Sequence, residues 1–425
     1  MLGYGCPMAL TNWAGNYVYR ARKVHAPRAL SELQEILCTV PRVRVVGARH
    51  SFTDIADSAE LVTLDRMATE MVVDRDAMTV SFSGGVGYGE LARVLERQGL
   101  ALGNLASLPH TTVAGAVSTA THGSGDHNGN LATSVAALDI VTSTGDLVRA
   151  ARGDPDFDGL VVGLGAVGAV VRISLDIAPA YQVRQRVFER LRWEALFEHF
   201  DAITSSGYSV SVFTRWGETT DQVWVKSRVD NDTEVPERQL FGAGPATEHK
   251  HPIDGLDPVN CTPQLGATGP WFDRLPHFRM DFMPSSGAEI QSEYIVPRRH
   301  AVAAIEAVLG IRTTIQPLTQ VSEIRTIAAD SLWMSPQYGQ DTVAIHFTWK
   351  PEQEAVERAL VELERALAPF QARPHWGKLF RANAETIGPL YERVGDFVAL
   401  LGRLDPRRAF RNDWLEERII GSTFG

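Results

Sequence analysis

Cysteine is scarce in this chain, and its placement excludes two common kinds of site. The 425 residues contain three cysteines, Cys6, Cys38 and Cys261, which are widely spaced and odd in number. This pattern gives neither a disulfide framework nor the paired spacing of a zinc site. We therefore expect a protein of a reducing compartment with no bound metal.

Basic clusters and long apolar segments are also missing. The 41 Lys and Arg residues are outnumbered by 51 Asp and Glu, which gives a formal net charge of −10 and disfavours nucleic acid or an anionic membrane as partner. The start, Met1–Leu10, lacks the basic and apolar regions of a signal peptide. The nearly apolar run Leu160–Val171 contains glycines and is too short to span a bilayer. The sequence thus predicts a cytoplasmic, monomeric protein whose partner is a small neutral ligand.

Length and composition indicate a large globular protein. A chain of 425 residues with 44% hydrophobic and 22% charged residues exceeds what one core usually supports. We predict an α+β fold with a cofactor domain over residues 1–179, a substrate domain over 180–385 and a helical tail over 386–425 that returns to the first domain. The first boundary follows a strand predicted at Val170–Ile177, at the segment Ala178-Pro179-Ala180.

The middle of the chain has a different pattern from its start. Longer β-like runs alternate with amphipathic helices, which favours an antiparallel sheet with helices on one face. The predicted strands are Tyr208–Phe213, Gln222–Lys226, Ser322–Ile327 and Thr342–Trp349, and the predicted helices are His300–Ile311 and Pro351–Leu367. The Pro- and Gly-rich segment Val235–Pro270 is interpreted as an ordered loop.

The most informative segment brings a histidine into a turn. The β-branched run Val43–Val46 stops at Gly47, and His50 follows in the turn after it. Such a strand holds the backbone while the turn lets the imidazole reach a ligand above the strand end. A hydrogen-bonded loop histidine has the same local pattern, so the segment supports a flavin-linked histidine only together with other features.

A second segment is built almost entirely from small residues. In Val113–Gly125, ten of thirteen residues are Ala, Gly, Ser or Thr. Small side chains let the backbone approach a ligand, and free N–H groups beside hydroxyls suit a pyrophosphate. A tightly packed helix crossing is the alternative. The G-x-G-x-x-G match at Gly163–Gly168 is rejected as a dinucleotide site, because it leads into a strand and not into a helix.

Strand alternation identifies the candidate substrate residues. In Thr342–Lys350, His346 and Thr348 share one face, and Glu323 and Arg325 project together from an earlier strand. A structural cross-strand ion pair would give the same Glu and Arg pattern. With Lys378 the set has no net bias of charge and suits a neutral polyhydroxylated ligand, because each hydroxyl both donates and accepts.

Three blocks of the chain together resemble a known family. They are Gly47-Ala48-Arg49-His50-Ser51, the segment Pro109–Gly115 continuing to Thr121-His122-Gly123, and His375-Trp376-Gly377-Lys378. They are similar to the vanillyl-alcohol-oxidase family of flavoproteins, within its aldonolactone and alditol oxidase branch. The resemblance extends from Thr11–Asn16 through Arg279–Arg298 to the tail.

The resemblance implies a two-domain FAD-binding fold and a role for each matching residue. His50 would be bonded covalently to FAD, although many relatives carry glycine where this chain has Arg49. The cofactor would be lined by Gly47, Ala48, Arg49, Ser51, Ser107, Thr112, Gly115, Ala116, Val117, Ser118, Thr119 and Val170, with His375 near it. The substrate would be held by Ser107, Glu323, Arg325, Thr348 and Lys378, and the catalytic set would be His346, Lys378, Arg325 and Glu323.

These roles lead to a predicted reaction. A hydride would pass from the primary carbinol carbon of an alditol such as xylitol or sorbitol to flavin N5, and O2 would be reduced to hydrogen peroxide. His346 is the first candidate for proton acceptor and Lys378 the second. Lys378 and Arg325 would stabilise the developing alkoxide. An aldonolactone oxidase or dehydrogenase of the same fold, and a carbohydrate-binding flavoprotein without turnover, are the alternatives.

Overall fold

The computed structural model describes residues 10–230, 238–281 and 289–421. Several predicted features lie wholly or partly outside these residues. They are Cys6 and the segment Met1–Leu10 except Leu10 itself, parts of Val235–Pro270 and Arg279–Arg298, and the last four residues of the tail.

The first part of the chain contains short strands and short helices. Its strands are β1 (Lys23–His25), β2 (Val43–Val45), β3 (Glu60–Val62), β4 (Val72–Asp74), β5 (Thr79–Ser83), β6 (Leu100–Ala101), β7 (Val135–Val141), β8 (Leu147–Ala151), β9 (Ala169–Asp176) and β10 (Ala178–Pro179). Its helices are α1 (Leu30–Thr39), α2 (Tyr88–Arg97), α3 (Val113–Ser118) and α4 (Phe157–Val161).

These strands form two main sheets. The strands β1, β3 and β2 pair in parallel in that order, whereas the order β4-β5-β9-β7-β8 is antiparallel throughout. The turn between β7 and β8 places Gly145 at φ +80°, a conformation that favours glycine. On α1, Leu33 and Leu37 are fully buried one turn apart, as the helical spacing of apolar residues predicts.

The second part is organised around one large sheet. Its strands are β11 (Gln182–Glu189), β12 (Ser209–Thr214), β13 (Gln222–Arg228), β14 (Gly244–Pro245), β15 (Thr268–Pro270), β16 (Ile290–Pro297), β17 (Thr319–Ile327), β18 (Thr342–Trp349) and β19 (Arg373–Pro374). Among the described residues their order is β14-β11-β13-β12-β17-β18-β16-β19, antiparallel, with β15 also pairing with β11. The antiparallel sheet that the sequence predicts is therefore present, and the predicted bounds of β18 are confirmed.

Helices cover one face of this sheet and leave the other for a cavity. The helices of this part are α5 (Trp193–Glu198), α6 (Phe200–Thr204), α7 (Ala301–Gly310), α8 (Arg312–Ile315) and α9 (Gln353–Leu367). Helix α7 contacts β16, β18 and α9, and it buries Ile305 and Val308 with the apolar face of β18. The side chains of Val343 and Ile345 are fully buried in this layer. The opposite face of β18 carries His346 and Thr348, as strand alternation predicts.

The last part of the chain lies against the first sheet. Its helices are α10 (Ala384–Ile387), α11 (Val394–Leu404) and α12 (Asp413–Leu415). The Val43 N–H donates to the carbonyl of Ala409 (2.8 Å), and the Asn412 amide donates to the carbonyls of Asp54, Ile55 and Asp57. The divisions at 179/180 and 385/386 stay predictions, although the first falls between β10 and β11.

None of the helices in the described ranges is long and apolar enough to cross a membrane.

Candidate active site

A cavity of about 550 Å³ lies between the first part of the chain and the large sheet. Most of the residues expected at a site line it. Those on the first part are Gly47, Ala48, Arg49, His50, Ser51, Ser107, Thr112, Gly115, Ala116, Ser118, Thr119 and Val170. Those on the large sheet and the segment after β19 are Glu323, Arg325, His346, Thr348, His375 and Lys378.

One expected cofactor residue is placed elsewhere. The side chain of Val117 is 2% exposed and packs in the main hydrophobic core, so it does not line the cavity. Its neighbours Ala116 and Ser118 do. In a helix, adjacent side chains point in different directions, and the apolar valine takes the inward one.

The turn after β2 and the start of α3 approach each other closely. A Cβ added at Gly47 would lie 2.1 Å from Thr112 Oγ1, and one added at Gly115 would lie 2.8 Å from the same atom. At Gly47 the Cβ and Cγ2 of Thr112 (3.2 and 3.3 Å) crowd the same position, so a larger residue does not fit unless Thr112 moves, whereas at Gly115 rotation of the Thr112 hydroxyl would relieve the contact. The two segments therefore form one continuous wall of the cavity, with backbone exposed to a ligand.

His50 stands on this wall with its ring held by an aromatic neighbour. The ring of Trp13 stacks on the imidazole, with centroids 5.2 Å apart and an interplanar angle of 17°. Neither ring nitrogen makes a hydrogen bond within the described residues. Burial lowers the pKa of His50 to about 4, against a smaller opposing effect of the nearby Ala48 carbonyl. The imidazole is thus neutral and positioned at neutral pH, with two unshared nitrogens.

The residue before it has an unusual backbone conformation. Arg49 has φ +59°, in the left-handed region that glycine enters without strain. Its carbonyl accepts from the Trp13 N–H (2.8 Å), and its guanidinium donates to the Thr11 carbonyl (3.2 Å). Glycine can adopt this conformation freely and arginine can adopt it with some strain, so either residue can occupy the position.

Three titratable side chains lie side by side across the large sheet. On β18, His346 is directly opposite Glu323 of β17 and Glu293 of β16. Directly opposite residues share one face of the sheet, so the imidazole lies between two carboxylates. The distance from His346 Nδ1 to Glu323 Oε2 is 3.9 Å, and His346 Nε2 has no hydrogen-bond partner in the described part of the chain.

Glu293 connects the two cations of the site. Its Oε1 accepts from Arg325 Nη2 (2.7 Å) and its Oε2 from Lys378 Nζ (2.6 Å), while His122 Nε2 lies 3.3 Å from Oε1. The side chain is 1% exposed. Burial favours its neutral form, but Lys378, His122 and Arg325 together hold the pKa of Glu293 well below its usual value.

Glu323 flanks Arg325 from the other side. Glu323 Oε2 lies 3.5 Å from Arg325 Nε, and Oε1 accepts from His277 Nε2 at 2.7 Å. Burial opposes ionisation, yet Arg325 and His277 lower the pKa of Glu323. Arg325 also donates to Ser107 Oγ (3.3 Å), which links the sheet to the first part of the chain.

The two buried carboxylates and the two cations of this row balance. Glu293 and Glu323 are ionised, Arg325 is a cation, and Lys378 is paired with Glu293. Burial lowers the pKa of Lys378, and the Glu293 carboxylate opposes that effect. Burial also places the pKa of His346 well below its usual value, an effect that Lys378 strengthens, so this imidazole is neutral. A site with this balance suits an uncharged polar ligand.

Three of the buried side chains have the donors of a metal site. One ligand atom each from His122, Glu293 and His375 lie within 4.8 Å of one another. Glu293 is already bound to Lys378 and Arg325, and a metal ion there would meet two nearby cations. His375 Nδ1 accepts from the Gly377 N–H (3.1 Å), which holds its ring in place.

Sequence reasoning missed several residues of the site. They are Trp13, His122, His277 and Glu293. Glu293 had a usable signal, since it is a single carboxylate in an otherwise β-forming run that includes Tyr294-Ile295-Val296. His277 follows a proline in a segment without periodicity, and nothing local distinguishes it.

Comparison with known proteins identifies the family. A family model of an FAD-binding domain matches residues 21–151, and one described as D-arabinono-1,4-lactone oxidase matches residues 283–418. An alditol oxidase from Streptomyces sp. is 47% identical over 418 residues, which cover 97% of this chain and 99% of the relative. The chain belongs to the aldonolactone and alditol oxidase branch of the vanillyl-alcohol-oxidase flavoproteins.

Other members and structures agree with this assignment. An L-gulono-1,4-lactone dehydrogenase from Mycobacterium tuberculosis is 28% identical over 438 residues, covering 97% of this chain and 99% of the relative. A solvent-stable cholesterol oxidase superposes with a TM-score of 0.76 at 16% identity, covering 96% of each chain, and the cholesterol oxidase of B. sterolicum gives 0.76 at 14%. These two structures show the fold alone. The predicted two-domain FAD-binding fold is confirmed, and this member of the branch is an FAD-dependent oxidoreductase.

The cavity fits the cofactor of this branch. Its first-part wall offers bare backbone at Gly47 and Gly115 and hydroxyls at Ser118 and Thr119, a combination suited to a phosphate-containing group. The two unpartnered nitrogens of His50 stand on the same wall. An orphaned buried imidazole beside such a wall is accounted for by a bound ligand that contacts it.

Proposed function

We propose that this protein is an oxidase that oxidises the primary C1 hydroxyl of open-chain alditols, such as xylitol or sorbitol, to the aldose. The observation that carries the proposal is the charge-balanced row of buried side chains in the cavity, formed by Glu323, His346, Glu293 and their cations. The 47% identity to an alditol oxidase over nearly the whole chain supports it.

FAD would be held by the first-part wall of the cavity. When bound, it supplies at N5 an acceptor for the hydride from C1 and hands both electrons to O2, which gives hydrogen peroxide. The residues of that wall that would hold it are Gly47, Ala48, Arg49, His50, Ser51, Ser107, Thr112, Gly115, Ala116, Ser118, Thr119 and Val170, and His375 would join them from the segment after β19.

We also propose that His50 carries the cofactor covalently. A neutral imidazole is the nucleophilic form, and the lowered pKa of His50 keeps it in that form at neutral pH. The stacked Trp13 ring fixes its orientation without occupying either nitrogen.

The substrate hydroxyls would meet the sheet residues. Lys378 donates one hydrogen bond to Glu293, and its other N–H groups could donate to a substrate oxygen. Arg325 is bound to the same carboxylate. These two cations would stabilise the negative charge that develops on the C1 oxygen as its hydroxyl loses the proton, before the hydride leaves C1. Ser107, Thr348 and Glu323 would bind the remaining hydroxyls.

His346 is the proposed proton acceptor. It is neutral, lines the cavity, and has an unpartnered Nε2. When Nε2 takes the hydroxyl proton, the carboxylate of Glu323, 3.9 Å from Nδ1, would stabilise the resulting cation. Lys378 is the second candidate, but its ion pair with Glu293 favours the protonated form.

Oxidation of an aldonolactone is the second candidate function. It is supported by the lactone-oxidase family model over residues 283–418 and by the 28% identical lactone dehydrogenase. An open-chain polyol presents more hydroxyls than a lactone, and the cavity offers Glu323, Arg325, Thr348 and Lys378 to bind them. The alditol is therefore the preferred substrate class.

Hydrogen peroxide formation separates the candidates. The purified holoprotein is assayed with xylitol, sorbitol and a gulono-1,4-lactone at equal concentrations. We expect peroxide with the alditols at a kcat/KM at least about tenfold above that with the lactone. Turnover of the lactone alone would replace the proposal by the second candidate. Silence with all three would leave a flavoprotein that binds carbohydrate without oxidising it.

A further inference from the structure

A buried lysine lies behind the cavity and is not part of the proposed binding set. Lys226, on β13, is 1% exposed. Its Nζ contacts the carbonyl oxygens of Leu275 and Pro276 (3.1 Å for Pro276) and lies 3.0 Å from His277 Nδ1. A buried ammonium without a paired carboxylate is costly, so its retention calls for a reason.

The contacts of this lysine determine where the proton of His277 lies. An ammonium has three protons, and the two carbonyls and the His277 Nδ1 lone pair accept all three. With Nδ1 accepting, the neutral imidazole carries its proton on Nε2. That nitrogen lies 2.7 Å from Glu323 Oε1 and donates to it.

The imidazole is also held rigidly. Phe213 and Trp224 contact its ring edge-on, with centroids 5.4 and 5.2 Å away. Burial, with a smaller contribution from Lys226, lowers the pKa of His277 to about 4, so the ring stays neutral. Because the ring is neutral and cannot rotate, a change of hydrogen bonding at Nδ1 can affect Nε2 only by changing which nitrogen carries the proton.

The chain of contacts continues into the cavity. Glu323, which receives the His277 proton, lies beside Arg325 and His346. If His277 carried its proton on Nδ1 instead, its Nε2 lone pair would face the carboxylate, and that contact would be repulsive. Glu323 would then have to turn away from His277 and from its place beside Arg325.

We propose that Lys226 is a positioning residue that, through the tautomer of His277, holds Glu323 in the orientation in which it binds a distal hydroxyl of the alditol. The kinetic consequence of this arrangement rests on the proposed function. The arrangement itself does not.

Lys226 differs from the titratable groups around it, because its charge changes near neutral pH and theirs do not. Burial lowers the pKa of Lys226 to about 7, and Glu323 opposes this while Arg325 adds to it. Among its neighbours, Glu323 has a pKa below its usual value, His277 about 4, Cys261 about 12, and Arg325 above its usual value. Between about pH 5.5 and 9 only Lys226 in this group changes charge.

Nitrogen NMR of the holoprotein tests the arrangement without any turnover. The ring-labelled histidines are recorded in the unsubstituted protein and in Lys226→Met, and His277→Gln assigns the signal among the 12 histidines. We expect the Nε2–H tautomer in the first and a measurably smaller share of it in Lys226→Met, where Glu323 is the remaining group that favours it. An unchanged tautomer in Lys226→Met overturns the proposal. If Lys226→Met does not fold, Lys226→Gln takes its place.

Steady-state kinetics test the consequence. In Lys226→Met we expect KM for xylitol to rise about tenfold with kcat within about threefold and the flavin spectrum unchanged, because a ground-state contact is lost. In the unsubstituted protein we expect KM to rise above about pH 7, where Lys226 loses its charge, and we expect no such rise in this variant. Lys250→Met, which removes a surface lysine paired with Glu189 and Glu248, is the control and should behave as the unsubstituted protein.

A double-mutant cycle shows whether Lys226 acts through His277 or whether the two side chains affect KM independently. In His277→Gln an amide donates to Glu323 regardless of Lys226, so adding Lys226→Met should change KM less than twofold. Independent, multiplying effects would overturn the proposal. If the unsubstituted protein turns over no alditol, the proposed function fails at that point, and the tautomer measurement still decides the role of Lys226.

Discussion

Glu293 and Lys378, 85 residues apart in the chain, meet in a buried ion pair with 2.6 Å between Oε2 and Nζ. The pair forms because β16 and the segment after β19 are neighbours: the His375 N–H donates to the Glu293 carbonyl, and the Leu379 N–H to that of Gln291. The other oxygen of Glu293 holds Arg325. One carboxylate thus sets the spacing of the two cations that face the proposed substrate.

Replacing this carboxylate by an amide should disable the site. In Glu293→Gln, Lys378 and Arg325 lose their shared anion, and the pKa of Lys378 should fall further because burial is then less opposed. We expect kcat/KM for xylitol to fall about 100-fold or more, measured by peroxide formation. Glu364→Gln is the matched control, since its carboxylate accepts from Tyr294, the next residue on β16, outside the cavity. A loss of less than about threefold in Glu293→Gln would contradict this role.

Covalent attachment should be insensitive to mild acid. Because burial lowers the pKa of His50 to about 4, the imidazole stays neutral down to about pH 5, whereas an ordinary imidazole at pH 5.5 is only about 10% neutral. Flavin incorporation into apoprotein, followed as colour that stays with the chain after acid precipitation, should proceed at pH 5.5 within about twofold of its rate at pH 7.5. A tenfold slowing would mean that His50 has the pKa of an ordinary histidine. His50→Ala should retain no colour after acid precipitation, and colour in that variant would assign the bond to another residue.

The conformation of Arg49 predicts which replacements it accepts. At φ +59°, glycine relieves strain of about 1 kcal/mol but adds freedom to the unfolded chain, so Arg49→Gly should change the free energy of unfolding by less than about 1 kcal/mol. It should also retain acid-stable flavin. Arg49→Val, β-branched in the same conformation, should lose about 1 kcal/mol or more. Denaturant unfolding measures both, and equal stability of the Gly and Val variants would argue against the strained turn.

Arg44 should be essential for stability. Its guanidinium is buried and donates to the carbonyls of Ile55, Leu164, Gly165 and Phe410, which joins β2 to the tail. Arg44→Met leaves these carbonyls without that donor, and we expect a loss of about 3–5 kcal/mol in unfolding free energy. Arg42→Met is the control, because Arg42 is exposed and its contact with the Arg411 carbonyl should contribute about 1 kcal/mol or less. Similar losses in both variants would contradict the assignment.

Local pattern was sufficient for much of the fold. The strands β12, β13, β17 and β18 and the helices α7 and α9 follow from apolar spacing, and the structure has them at or near the predicted bounds. The strands β11 and β16 escaped prediction. In β16, the buried charge of Glu293 interrupts an otherwise β-forming run. The partners that neutralise this charge, Arg325 and Lys378, are far away in the chain, so local sequence does not reveal the strand.

The same distinction applies to the site. The sequence by itself determined that His50 follows a strand in a turn, that His346 shares a face with Thr348, and that Glu323 shares one with Arg325, because these are consequences of strand and turn geometry. Only the tertiary structure decided that Glu323, His346 and Glu293 stand in one row, that Val117 points into the core, and that Lys226 reaches Glu323 through His277. Strand register and the pairing of buried charges are long-range relations, and the free energy that selects them exists only when distant segments are packed together.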